Sequence, residues 1–234
     1  MTVYMKSDEI ISLINPKSPV TEAYRTLLTN IDYSSVDSKI QILAVTSSGP
    51  SEGKSTTASN LAVTYCETGK RVLLVDCDLR KPRQHKIFNT SNLTGLTSVL
   101  ASKASLTDAI KLVKDGMYLL PSGPIPPNPV ELIRSKSMDH FIKLAKENFD
   151  IIIFDTPPVG LVTDAAIISA KLDGVILAIA SGKSQTEATL RAKESLEHVN
   201  ANLLGAVVTM IPVNTSGYQY YAYTEEEPVK KKRR

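Results

Sequence analysis

Six apolar runs recur along the chain, at 40–47 (IQILAVTS), 71–76 (RVLLVD), 117–121 (MYLLP), 150–155 (DIIIFD), 174–180 (GVILAIA) and 203–209 (LLGAVVT). Each is short, rich in β-branched residues and unbroken by polar alternation, the pattern of a parallel strand covered on both faces. Between them, residues 55–68, 129–148 and 184–199 carry apolar side chains at three-to-four spacing with charges opposite, which predicts crossover helices. Residues 19–32 add an amphipathic helix ahead of the first strand. The pattern predicts one α/β domain over residues 1–213, a doubly wound, mainly parallel sheet with helices on both faces. Residues 1–18 and 214–234 lack such periodicity and read as mobile ends. In open sheets of this class the chemistry gathers beyond the carboxyl ends of the strands, so the residues that follow each run matter most.

Composition adds bounds to this picture. The 234 residues are 42% hydrophobic and 22% charged, an ordinary globular composition for one core. The net charge is +3, yet residues 230–234 (KKKRR) are all cationic, so the rest of the chain is slightly acidic and offers no nucleic-acid-binding face. Cys66 and Cys77 sit in apolar segments without metal spacing, as buried thiols in a reducing compartment do. No run approaches the ~20 apolar residues of a membrane-spanning helix, and MTVYMKSDEI has no signal-peptide core. A cytoplasmic location follows as the expectation, with a partner needed to bring the chain to a membrane. His85, His140 and His198 share no ligand spacing, and Tyr24 and Tyr65 fall in helical patterns as packing residues.

The first run leads through TSSGPSEGKSTT (46–57) directly into a helical pattern. The phosphate-loop pattern G-x-x-x-x-G-K-[ST] is met at Gly53, Lys54 and Ser55, while its first glycine position holds Ser48 and Gly49 comes one place later. A loop of backbone N–H groups opening a helix makes an anion site, which assigns Gly49, Pro50, Ser51, Glu52, Gly53, Lys54, Ser55 and Thr56 to nucleotide binding. Lys54 can reach the β and γ phosphates of ATP, and the Ser55 hydroxyl can ligate Mg²⁺.

Acidic residues end two further runs. VLLVDCDLRKPR places Asp76 and Asp78 on one face of an extended segment, and IIIFDTPP ends its strand on Asp155. Asp155 has the form of the acid that helps hold Mg²⁺ in phosphate-loop enzymes. A hydrolase needs only that one; a pair after the second strand suits phosphoryl transfer to a hydroxyl, with one carboxylate taking the proton. Arg80, Lys81 and Arg83 follow at once, and Arg80 is the cation most suited to stabilising transferred charge.

Together, SSGPSEGKST, VLLVDCDLRKP and IIIFDTPP resemble the Walker A, A′ and B motifs of the bacterial tyrosine kinases of capsule and exopolysaccharide synthesis, and SGPIPPNPVELI (122–133) is similar to their proline-rich signature. The resemblance spans roughly residues 19–223. It implies that Asp76 helps deprotonate an acceptor tyrosine and that Ser55, Asp78 and Asp155 hold Mg²⁺. Partitioning and septum-placement ATPases, the rival reading, carry a signature lysine where this chain has Gly49. EAYRTLLTNI (22–31) resembles the helix through which these kinases form ring-shaped oligomers, met at Glu22 and Arg25, with Leu28 in the second arginine position as an apolar version of the contact. The family's separate-chain members are stimulated by the cytoplasmic tail of a membrane protein.

On this reading Tyr218, Tyr220, Tyr221 and Tyr223, in YQYYAYTEEEPV, are substrates on a tether, phosphorylated by a neighbouring copy.

Overall fold

The computed structural model describes residues 10–34 and 40–212. The tyrosine cluster Tyr218 to Tyr223 lies outside the described residues. In chain order the elements are α1 (Ile11–Ile14), α2 (Pro19–Tyr33), β1 (Ile42–Ser47), α3 (Lys54–Glu67), β2 (Val72–Asp76), α4 (Gln84–Ile87), α5 (Leu96–Leu100), α6 (Leu106–Ala109), β3 (Lys111–Lys114), β4 (Met117–Leu120), α7 (Pro129–Arg134), α8 (Lys136–Asn148), β5 (Ile151–Asp155), α9 (Asp164–Ser169), β6 (Gly174–Ala180), α10 (Thr186–His198) and β7 (Leu203–Thr209).

The strands form one sheet in the order β3-β4-β2-β5-β1-β6-β7, parallel throughout except for the antiparallel pair β3–β4. Two apolar clusters lie on its two faces, and successive residues of one strand feed alternate clusters. Ile42 and Ala44 belong to one, Leu43 and Val45 to the other. That two-sided burial is why the runs carry no polar alternation. α3 packs in the second cluster through Ala58, Leu61, Ala62 and Tyr65, while α8 covers the first through Met138, Phe141, Ile142 and Ala145. Cys66 and Cys77 are buried and unpaired, as expected. Tyr65 is a packing residue too, its hydroxyl donating to Asp32 at 2.9 Å.

Three elements differ from the sequence expectation. The helix expected over 129–148 is two helices, because Ser135 takes an extended conformation, ends α7 and caps α8 by accepting the Met138 N–H. Residues 10–18 are packed rather than mobile: Ile10 is buried in the core, the Ser12 N–H donates to Asn60 Oδ1 at 2.9 Å, and Ser18 caps α2 with Pro19 at its first position. β3 extends the sheet by a hairpin through Asp115–Gly116, with Gly116 at φ 79°. Among the described residues no helix is long and apolar enough to cross a membrane.

Candidate active site

β2, β5 and β1 are neighbours in the sheet, so their carboxyl ends open on one crevice. Asp76 and Asp155 are register partners across β2 and β5. The loop after β1 turns into α3 at Gly53, whose φ of 88° lies in the left-handed region that glycine enters without cost. Lys54 and Ser55 form the first turn of α3, and the Lys54 side chain lies back over the strand ends. Its Nζ donates to Asp78 Oδ2 at 3.1 Å, to Asp155 Oδ1 at 3.3 Å and to Ser55 Oγ at 3.2 Å. All four groups are buried. Burial alone would lower the Lys54 pKa, but Asp155 and Asp78 outweigh it and hold the ammonium charged.

The sequence assigned Ser55, Asp78 and Asp155 to Mg²⁺, and these residues meet around one cation, the lysine ammonium. The donor set is hard oxygen, as Mg²⁺ requires. Among the described residues no three histidine, cysteine or acidic side chains are grouped so as to hold a metal ion by themselves.

Asp76 is fully buried. Its Oδ2 accepts the N–H groups of Gln84 at 2.9 Å and Arg83 at 3.0 Å, and its Oδ1 that of Asp78 at 3.3 Å. Burial, reinforced by the charge of Asp155, pushes its carboxyl up to about 8, against the opposing N–H donor of Gln84 and the charge of Lys54. A carboxyl in that range exchanges its proton near neutral pH, and acts as a base from its ionised form.

Two of the expected residues have side-chain partners far along the chain. Glu52 turns its side chain inward: it accepts from Ser48 Oγ at 3.0 Å, the Gly49 N–H at 2.8 Å and Ser184 Oγ at 2.6 Å. It therefore braces the loop through its carboxylate. Arg80 forks onto Asp164, Nε to Oδ1 at 2.9 Å and Nη2 to Oδ2 at 3.1 Å, tying the β2 loop to the start of α9. Remaining loop residues are braced by neighbours: Lys183 Nζ donates to the Ser51 carbonyl at 2.8 Å, and Thr209 Oγ1, at the end of β7, donates to the Glu52 carbonyl at 2.7 Å. Gly160 approaches so closely that a Cβ there would stand 2.4 Å from the Ser48 carbonyl oxygen.

Gln84 is the functional residue that sequence reasoning missed. Buried completely, it donates from Nε2 to Asp155 Oδ2 at 2.8 Å and to the Ser55 carbonyl at 3.1 Å, and accepts from Ser59 Oγ at 2.7 Å. It thus orients the carboxylate of β5 against the first turn of α3. Its signal was available in part, as the first residue after a cationic run that follows the acidic pair.

On α2, Arg25 pairs with Glu22 and, at 3.3 Å, with Glu67 of α3. Leu28, expected as an apolar version of the contact, is packed in the chain's own core.

Comparison with known proteins agrees with this geometry. A family model described as AAA domain matches residues 40–203. Tyrosine-protein kinase YwqD of Bacillus subtilis (strain 168) is 45% identical over 214 residues, covering 91% of this chain and 90% of that protein. The crystal structure of the chimerical protein CapA2B2 superposes with a TM-score of 0.84 at 39% identity, over 89% of this chain and 92% of that one. The septum site-determining protein MinD from Pyrococcus horikoshii, complexed with Mg-ADP, gives 0.61 at 28% identity, over 72% and 69%. Strand-end acids gathered on a phosphate-loop lysine, in a sequence similar along nearly the whole chain to YwqD, place this protein in the family of bacterial tyrosine-protein kinases.

Proposed function

We propose that this chain transfers the γ-phosphoryl group of ATP to tyrosine hydroxyls, including Tyr218, Tyr220, Tyr221 and Tyr223 of a neighbouring copy, and thereby regulates capsular and extracellular polysaccharide synthesis and export. The observation that carries the reading is the convergence of Asp76, Asp78 and Asp155 with Lys54 at the carboxyl ends of the central strands.

Lys54 sits on a flexible stem and exchanges its carboxylates for the β and γ phosphates. Ser55, Asp78 and Asp155 would hold Mg²⁺, which when bound neutralises charge on the transferring phosphoryl group. A phenol has a pKa near 10, so transfer depends on placing the hydroxyl in line with the phosphorus while a base takes its proton late. Asp76 is that base. A carboxylate offers about four lone-pair sites, and three backbone N–H groups leave one for the incoming hydroxyl.

β7 ends at Thr209 beside the loop, on the same side of the sheet's strand ends as the chemistry. Each phosphate adds about −1.5 to −2 charge, which weakens return of a phosphorylated tail to an acidic crevice. A ring of copies through α2, with Glu22 and Arg25 at the contact, delivers one tail to the next active site. A membrane protein with a cytoplasmic tail serves as activator and recruits the chain to the inner face of the plasma membrane.

The test mixes active chain with a tagged Lys54→Met chain, ATP and Mg²⁺, and maps phosphotyrosine on each. Phosphate on the tagged chain supports transfer between copies; phosphate confined to the active chain refutes it. The fold likeness to MinD favours a second reading, an ATP-switched positioning protein. That reading requires ATP alone to drive dimerisation with no tyrosine modified.

A further inference from the structure

The loop after β2 has two sides. Its backbone faces the crevice, where the N–H groups of Lys81 and Arg83 donate to Asp78 Oδ1 at 2.9 Å and Asp76 Oδ2 at 3.0 Å. Its cationic side chains face outward: Arg80, Lys81 and Arg83, together with Lys86 of α4, are all exposed. They line a groove of about 670 Å³ in which no lining residue is acidic. Lys81 and Lys86 have no ion-pair partner among the described residues.

The opposite wall is apolar and rigid. Pro124 and Ile125 stand exposed there, Ile125 by 64%, and the turn before them is fixed by Asn92, which accepts the Gly123 N–H at 2.9 Å and donates to the Gly123 carbonyl at 3.1 Å. A groove with cations on one wall and an apolar rim on the other suits a segment that presents carboxylates next to an aromatic ring.

This sequence contains such a segment at residues 223–227, YTEEE. The chain between Pro212 and Tyr223 can span up to about 36–40 Å when extended, enough to cross the face of a small domain. In an extended chain, residues two apart point the same way, at ~3.3 Å per residue. A segment bound extended with the Tyr223 hydroxyl at Asp76 would carry Glu225 and Glu227 on one side, about 7 and 13 Å further along, and Glu226 on the other.

We infer that the groove lined by Lys81 and Lys86 is an acceptor subsite that reads carboxylates on the C-terminal side of the target tyrosine, and that its occupant is residues 223–227 of this chain's tail. The inference rests on the kinase reading for its purpose, though not for its test.

The test is binding. Fluorescein-labelled peptides with the sequence of residues 218–229 are titrated by anisotropy with the full chain and a non-hydrolysable ATP analogue with Mg²⁺. Exposed ion pairs are individually modest, so replacing Glu225 and Glu227 together by Gln is expected to weaken binding about fivefold to tenfold at low salt, an effect that shrinks in high salt. Replacing Glu226 alone changes it less than twofold. The Lys81→Glu/Lys86→Glu chain, whose backbone N–H groups are untouched and whose ATP-analogue affinity reports its integrity, loses the preference for glutamate. Equal affinity for both peptides, no binding of either, or an unchanged preference in that variant overturns the inference. Retained preference, with the same peptides gaining no phosphotyrosine when ATP and Mg²⁺ replace the analogue, overturns the kinase reading and leaves this subsite standing.

Discussion

Replacing Glu52 by Gln isolates the brace beneath the phosphate loop. The wild-type carboxylate receives three donors at 2.6–3.0 Å, from Ser48, Gly49 and Ser184. The Gly49 N–H cannot reorient, so the amide oxygen of Gln must face it. The amide NH₂ then faces Ser184 Oγ, which already accepts the Ala180 N–H at 2.8 Å. Ser184 can accept a second donor, but its own proton loses its partner. Charge assistance at Ser48 and Gly49 is lost as well. Hydrogen bonds to charged groups contribute about 1.5–3 kcal/mol each, and a stranded buried donor costs about 1–3 kcal/mol, so partial retention gives a net loss of about 1.5–3 kcal/mol. For a chain of this size that lowers Tm by about 3–12 °C. Where the loop, rather than the whole fold, absorbs the loss, the same energy weakens ATP binding by about 10- to 150-fold. Thermal unfolding with and without ATP, alongside titration of a fluorescent ATP analogue, separates the two. A Gln variant that melts within 1 °C of wild type and binds ATP unchanged would refute the brace.

Other outcomes follow from single contacts. Gly160→Ala drives a Cβ into the Ser48 backbone carbonyl, which cannot swing aside as a side chain could, so ATP affinity should fall at least about tenfold by titration. Arg80→Ala removes the fork from the buried Asp164; because the arginine is itself part-exposed the cost is about 1–3 kcal/mol, read as a Tm loss of about 2–12 °C, with Arg80→Lys rescuing only part. Asp173 receives the N–H groups of Gln41 and Ile42 and the ammonium of Lys146, each at 2.9–3.0 Å. Burial alone would raise its carboxyl, but Ile42, Gln41 and Lys146 prevail and hold it below the usual value. A depressed carboxyl contributes stability above its unfolded pKa of ~3.9 and loses it as pH falls through the folded value. Asp173→Asn should therefore melt below wild type at pH 7, and the gap should close below about pH 4.

Much of this architecture is written in the apolar runs, because strands buried on both faces need unbroken Val, Ile and Leu. The six strands read from them form, and all pair in parallel. β3 escaped because its KLVK carries two apolar residues between lysines; Asp115–Gly116 was its only local mark. The split between α7 and α8 depends on one serine choosing an extended backbone, which helical periodicity does not register. In the site, Lys54, Ser55, Asp78 and Asp155 were legible because metal and phosphate chemistry constrain residue type and position together. Glu52 and Arg80 were legible as present but not as to direction, since their partners Ser184 and Asp164 lie far along the chain. Gln84 was illegible for the same reason: its partners, Ser55, Ser59 and Asp155, come together only when the sheet is wound.

The central claim is phosphoryl transfer to the tail tyrosines at the carboxylate-lined crevice. Its most direct measurement is phosphotyrosine mapping by mass spectrometry after incubating the purified chain, with the activating membrane-protein tail, in ATP and Mg²⁺, in parallel with Asp76→Asn. Phosphate on Tyr218, Tyr220, Tyr221 or Tyr223 of the wild type, lost in Asp76→Asn while ATP still binds, is the predicted result. ATP hydrolysis with none of these tyrosines modified would contradict it.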